Sequence, residues 1–367
     1  MKVLILSKAL VLGSYQRQLA WLAQDPGIEL VAVVPPYWLE PGVGRVTLEQ
    51  IPPRGYRLLV RDIAWNGHFH LYYWRALGQL LPSERPDVLH LDEESFNLAT
   101  YQGMRWGTRL GARCLFFNWA NIPRALPPPF CWFERYNLAH AAHAVAGNRE
   151  AASLLRKKGY RGPLTVIPQF GVDVELFSPV PTRRASRDFT IGYVGRLVRQ
   201  KGVLDLVEAM ARLPKEAHLR LIGSGELEPE LRRRALALGL EDRIEFYGRV
   251  PSAALPALYR ELDVLVLPSR TTPAWKEQFG RVLIEAMACA IPVVGSDSGE
   301  IPYVVGEAGL LFPEGDVEAL AARMRALLED ASLREALGKR GRERVLAHYS
   351  QERIAHAYLE VYREIAA

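Results

Sequence analysis

The sequence of 367 residues predicts an α/β protein built from two doubly wound domains, each a parallel sheet covered by helices. Three observations point there. Apolar runs of about five residues alternate with longer amphipathic stretches almost throughout. The runs are nearly continuous rather than alternating, which marks strands buried on both faces. The series then breaks at a polar stretch, "PTRRASRD" (181–188), and starts again.

In chain order the first series is "KVLIL" (2–6), "ELVAVV" (29–34), "DVLHL" (87–91), "CLFFN" (114–118), "HAVAG" (143–147) and "LTVIP" (164–168). The second is "FTIGYVG" (189–195), "HLRLIG" (218–223), "IEFYG" (244–248), "VLVLP" (264–268), "PVVGS" (292–296) and "GLLF" (309–312). In each series the first strand runs into a turn containing glycine, Gly13 in one and Gly195 with Gly202 in the other. The expected domains are residues 1–170 and 171–349, with the break near "IPQFGVDVELFSP" (167–179). A last helix over 350–367 shows Ile354, Tyr358, Val361 and Ile365 at helical spacing, and either domain could receive that stripe.

Composition narrows the class. Hydrophobic residues make up 49% and charged residues 24%, ordinary for a globular chain. A formal net charge of +5 mildly favours anionic small molecules or an acidic membrane surface, and no nucleic-acid-binding signature accompanies it. Cys114, Cys131 and Cys289 show no CxxC spacing, which argues against disulfides and structural zinc and suits a reducing cytoplasm. "KVLILS" reads as a buried strand rather than a signal peptide, and no run approaches a membrane span. A cytoplasmic protein is expected, with at most a weak peripheral contact at the inner face of the membrane.

The richest stretch is "EQFGRVLIE" (277–285). On one helix Glu277 and Glu285 would lie roughly 12 Å apart along the axis and about 80° apart around it. That does not suit a facing carboxylate pair of the glycosidase kind. The stretch reads better as a loop turning into a helix at Gly280. Backbone N–H groups from Phe279 through Arg281 to Val282 would then receive an anion such as phosphate. The two carboxylates would flank a diphosphate, one binding a sugar and the other a ribose. From spacing alone, Glu285 reads equally well as a surface helix residue. In "GYVGRLVRQKG" (192–202), Arg196 and Lys201 follow a buried strand and would meet an anion at the carboxyl edge of the sheet. Neither a GxGxxG fingerprint nor a P-loop is present, and "GSG" (223–225) lacks the third glycine.

These pieces, with "LIGSGEL", "IEFYGRV", "LDVLVLPS", "EQFGRVLIEAMACAIPVVGSDSGEIP" and "GLLFPEGD", resemble the retaining glycosyltransferases of family 4. The resemblance implies the GT-B fold, two Rossmann-like domains facing across a cleft. It implies that Glu277 binds the donor sugar and Glu285 the ribose, and that Arg196 and Lys201 hold the diphosphate. The backbone around Gly248, Arg249 and Val250 would meet the base, Gly223 would also belong to the donor-binding set, and Gly13 would approach the phosphates from the other domain. The expected co-substrate is a nucleotide sugar, UDP- or GDP-linked, with no metal or other cofactor. The expected acceptor is a hydroxyl of a glycan, a lipid-linked sugar or a small molecule. Ala290 departs from the family, which usually has Gly there.

The amino-terminal half departs further. Family members carry a His just after a middle strand, where this chain reads "LFFNWANIP" (115–123). Asn118 and Asn121 are the candidates to orient the reactants instead. His90, Glu93 and Glu94 of "HLDEESFN" (90–97) are the acceptor-side candidates. "HFH" (68–70) and "HAAH" (140–143) lack a third ligand and read as ordinary histidines. Two rival readings are a GT-B epimerase and a catalytically inactive sugar-nucleotide-binding partner.

Overall fold

The computed structural model describes residues 1–180, 188–251 and 254–367. They divide into one unit of residues 1–171 with 351–367 and a second of residues 172–350. Most of the polar stretch at 181–188, namely 181–187, lies outside the described residues.

The apolar runs of the first series become the strands of a seven-stranded parallel sheet. Its elements are β1 (Lys2–Leu6), α1 (Gly13–Leu22), β2 (Glu29–Val34), β3 (Tyr37–Glu40), β4 (Gly44–Thr47), β5 (Tyr56–Val60), β6 (Ile63–Ala64) and β7 (Tyr73–Trp74). Then follow α2 (Leu77–Glu84), β8 (Val88–Leu91), α3 (Leu98–Arg109), β9 (Arg113–Asn118), α4 (Phe130–His140), β10 (His143–Ala146), α5 (Arg149–Lys157) and β11 (Leu164–Val166). The sheet order is β11-β10-β9-β8-β1-β2-β5, with β3–β4 and β6–β7 as small antiparallel pairs beside it. Val3 pairs with Leu30 on one side and Val88 on the other, so β1 is central and its side chains are buried on both faces. Helix α5 begins where the Asn148 side chain accepts from the Ala151 N–H at 2.7 Å, relieving one unpaired donor of its first turn.

The second unit repeats the plan with six parallel strands. It comprises β12 (Phe189–Val194), α6 (Val203–Met210), β13 (Ala217–Ile222), α7 (Glu228–Ala237), β14 (Ile244–Gly248), α8 (Leu255–Arg260) and β15 (Val264–Leu267). After these come α9 (Arg281–Ala288), β16 (Val293–Ser296), α10 (Ile301–Val305), β17 (Gly309–Phe312), α11 (Val317–Glu329) and α12 (Ala331–His348). The order is β14-β13-β12-β15-β16-β17.

The last helix, α13 (Gln351–Ala366), belongs to the first unit and packs on α1 and β8. Its stripe of Ile354, Tyr358, Val361 and Ile365 is buried there. Among the described residues no helix is long and apolar enough to cross a membrane.

In both sheets the chain first winds one way and then returns to wind the other. The reversal falls between β1 and β8 in the first unit and between β12 and β15 in the second. Loops leaving the carboxyl ends of such a strand pair diverge, and the space between them is where doubly wound sheets bind ligands.

Candidate functional site

In the second unit the loop after β12 and the loop after β15 flank that reversal. The first holds Arg196 and Lys201. It is shaped by Gly202, whose φ of 65° and close approach to Pro268 leave no room for a Cβ, which would lie 1.8 Å from the Pro268 carbonyl oxygen. The Tyr193 hydroxyl donates to the Arg196 carbonyl at 2.7 Å and fastens the turn, leaving the Arg196 side chain exposed. The loops after β12, β13 and β14 are zipped together by their backbones. Gly195 N–H donates to Ile222 and Gly223 N–H to Gly248, so Gly195, Gly223 and Gly248 share one edge with Arg249 and Val250 just beyond.

Lys201 and Glu277 meet. The Lys201 Nζ lies 2.5 Å from Glu277 Oε2, and the Ser269 hydroxyl donates to the same oxygen at 2.8 Å. The ammonium also stands 4.8 Å from the centre of the Trp275 ring. Trp275 is delivered there by a tight turn in which Thr272 and Trp275 exchange backbone hydrogen bonds and the Thr272 hydroxyl accepts from Trp275 N–H at 2.9 Å. Glu277 is 6% exposed, and these partners satisfy its enclosed carboxylate.

Gly280 turns the loop into α9 with φ 81°, a left-handed conformation that suits glycine. Phe279 is packed into the unit, its ring 5.7 Å from that of Tyr349. Arg281 and Val282 are half-buried at the helix start. Glu285 is not a surface residue. It is 7% exposed, accepts from the Tyr259 hydroxyl at 2.9 Å and pairs with Arg281 at 2.9 Å. The surface alternative therefore gives way to a buried one, because α8 covers that face of α9. Among the described residues the two carboxylates have different partners, Glu277 being held by Lys201 and Ser269 and Glu285 by Tyr259 and Arg281.

In the first unit the Gly13 N–H at the start of α1 donates to the Glu49 carboxylate at 2.8 Å. A ligand anion at this helix start would have to displace a carboxylate that already occupies it. At the carboxyl ends of β1 and β8, Asp92 accepts from the Ser7 hydroxyl at 2.5 Å and from Gln169 Nε2 at 2.8 Å. Glu93 pairs with Lys8, and Glu94 accepts from the Trp119 N–H at 3.0 Å. Burial pushes the carboxyls of Asp92 and Glu94 up to about 7.

The other acceptor-side candidates are differently placed. His90 is not at the crevice edge. It lies within β8 under α13, with Nδ1 2.7 Å from the Tyr362 hydroxyl. Burial holds its pKa down to about 3, so the ring is neutral at ordinary pH. The physical reason is register: His90 points to the face that α13 covers, and the sequence alone does not say where that helix docks. Asn118 is 2% exposed and spends its amide on the chain around it, accepting from the Ser95 hydroxyl at 3.2 Å and donating to the Ala120 carbonyl at 3.4 Å. Asn121 donates to Glu150 at 3.2 Å and is half-buried. Sequence reasoning passed over Ser269, Trp275, Tyr259, Lys8 and Asn97. Ser269 stood in the quoted "VLPS", and the Pro before Ala274–Trp275 was a turn signal.

Residues 177–344 match the family described as glycosyl transferases group 1, and residues 12–169 match the glycosyl transferase 4-like domain. The chain is 34% identical over 208 residues to the putative colanic acid biosynthesis glycosyltransferase WcaL of Escherichia coli, covering 55% of this chain and 51% of that one. The chain spans about half the length of the curated relatives it matches. Among solved structures, sucrose-phosphate synthase from Thermosynechococcus elongatus superimposes with a TM-score of 0.75 at 25% identity, covering 100% of this chain and 99% of that one. Anabaena HepE, solved in complex with UDP, gives 0.76 at 17% identity and covers 99% and 100%. That second likeness concerns the fold.

Proposed function

The chain belongs to the group 1 glycosyl transferases and has their GT-B fold, and from that premise we propose that it moves a hexose from a UDP- or GDP-sugar to an acceptor hydroxyl with retention at the anomeric carbon. The acceptor is a glycan, a lipid-linked sugar or a small molecule. One observation carries the reading: Lys201, Glu277 and Ser269 converge at the strand reversal of the second sheet. A cation and a carboxylate held at 2.5 Å can part company around a ligand that has both an anion and hydroxyls. Lys201 would then turn to the diphosphate with Arg196, and Glu277 would accept from sugar hydroxyls.

Departure of the nucleoside diphosphate builds negative charge on its terminal phosphate. Preorganised cations stabilise that charge where it develops. With Arg196, Lys201 and the start of α9 supplying the positive potential, the reaction needs no divalent ion, and turnover should survive EDTA. Buried Glu285, steadied by Tyr259 and Arg281, has lone pairs left on both oxygens for ribose hydroxyls. The departing phosphate oxygen can take the acceptor's proton on the same face of the sugar. The acceptor side then has to supply hydrogen-bonding groups that position it. The protein acts in the cytoplasm, at the inner face of the membrane when its acceptor is lipid-linked.

Thermal-shift titration against UDP-, GDP- and ADP-sugars tests the donor assignment, since a ligand at 100 times its Kd adds ~2.7 kcal/mol of stability. Release of free sugar from the donor without acceptor would separate an active transferase from an inactive binding protein. A chain that binds none of these nucleotides would overturn the reading.

A further inference from the structure

At the strand reversal of the first sheet we propose a carbohydrate-hydroxyl site whose outward group is His70 Nε2. Calling the bound sugar the acceptor rests on the transferase reading above; the site itself does not. The chain of contacts begins at Lys8, just past β1, which pairs with Glu93, just past β8. The Lys8 ammonium stands 4.9 to 5.5 Å from the ring centres of Phe69, Trp38 and Tyr72. The other carboxylate oxygen of Glu93 accepts from Asn97 Nδ2 at 3.1 Å, and Asn97 Oδ1 lies 2.9 Å from His70 Nδ1.

Donor and acceptor chemistry settles the rest. A carboxylate only accepts, so the Asn97 amide must turn its NH₂ to Glu93 and its oxygen to His70. An amide oxygen also only accepts, so His70 Nδ1 must carry the hydrogen. In the neutral ring Nε2 is then left with a lone pair. Glu93 and Asn97 are 6% and 1% exposed, whereas His70 is exposed. A buried charge pair and a buried amide thus fix the tautomer of a ring that faces solvent. An exposed histidine needs no such support for packing.

The surroundings indicate what Nε2 receives. The rings of Phe96 and Phe130 stand 5.2 and 6.0 Å from the imidazole. Aromatic rings beside a fixed hydrogen-bond acceptor suit a pyranose, whose C–H face can lie on an aromatic ring while a hydroxyl donates to Nε2. An anionic ligand fits poorly, because both nearby ammonium groups are taken, Lys8 by Glu93 and Lys158, 5.7 Å from the centre of the Phe96 ring, by Glu134. "HFH" looked in sequence like a pair without a third metal ligand; the missing partner is an amide, not a metal.

The test uses the full chain with methyl glycosides of glucose, galactose and mannose as probes, read by saturation-transfer NMR. His70→Asn can keep the inner contact to Asn97 but removes the outer acceptor, and should weaken sugar binding about three- to tenfold. His70→Gln places an amide oxygen near the Nε2 position and should bind within about twofold of the unaltered protein. The opposite order, Asn tolerated and Gln not, would show a structural role and overturn the proposal. So would failure of the unaltered protein to bind any of the three sugars. With ¹⁵N-labelled histidine, the His70 Nε2 resonance of the unaltered protein should move on sugar titration, and a static one would also overturn it. UDP and GDP affinity, measured on the same samples, should be unchanged. Lost nucleotide binding with sugar binding intact would count against the donor reading, not against this site.

Discussion

Replacing Asp92 with Asn should make the first unit more stable at pH 8, clearly less so at pH 5, and leave it nearly unchanged below about pH 4. The Asp92 carboxyl is buried and carried up to about 7 because enclosure disfavours its charge more than the Ser7 and Gln169 hydrogen bonds favour it. A carboxyl whose folded value lies above its unfolded one binds more protons in the folded state between about pH 4 and 7. Its contribution is therefore fully present at the acidic end and lost as pH rises through 7. The step from an ordinary carboxyl to about 7 is worth on the order of 2–4 kcal/mol once ionisation is complete. Asn keeps the shape and both contacts, its oxygen accepting from Gln169 and its NH₂ donating to the Ser7 hydroxyl, which can also accept. Glu94 carries a similar shift and adds its own slope in the same direction, while buried His90, held down to about 3, adds one of opposite sign below about pH 6.5. The effect is therefore read as the difference between variant and unaltered protein at each pH, and Asp92→Asn with Glu94→Gln should show about twice the difference of the single variant. Seven of the eight tryptophans lie in residues 1–171, so urea unfolding followed by tryptophan fluorescence reports almost wholly on this unit. Curves for the variant and the unaltered protein that stay parallel from pH 5 to 8 would refute the reasoning.

Changing Arg196 or Lys201 to Ala should lower kcat on the order of 10²-fold, measured in steady-state transfer or donor hydrolysis, and near-normal turnover in the double variant would remove both from the diphosphate site. Glu285→Gln should weaken binding of free nucleoside diphosphate, while Glu277→Gln should spare it and harm use of the nucleotide sugar. Isothermal titration separates the two, and equal losses would show that the carboxylates do one job. Ala290 has a φ of 57°, in the left-handed region, so Ala290→Gly should relieve roughly 1–2 kcal/mol of backbone strain against a smaller entropy cost, raising stability by about 0.5 kcal/mol in thermal unfolding.

The fold class was legible because strands buried on both faces must be continuously apolar, as "KVLIL", "ELVAVV" and "VLVLP" are. The loop-to-helix turn at Gly280 was legible for a similar reason: a left-handed residue leading into α9 suits glycine. The small pair β3–β4 and the edge strand β5 were not, since short and partly exposed strands carry no such run, and neither was β6–β7, which is largely buried but only two residues long on each side. Which partner each functional side chain meets was also beyond the sequence. Lys201 and Glu277 are 76 positions apart and Lys8 and Glu93 are 85 apart, and only the crossovers of the two sheets bring them into contact. His90 shows the same limit from the other side. Its place in "HLDEESFN" suggests an edge residue, but α13 returns from 272 positions away to bury it. Residue type and local period set which backbone state each segment prefers. The docking of segments distant in sequence decides which face of a strand is covered, and so which of its polar groups can still reach a ligand.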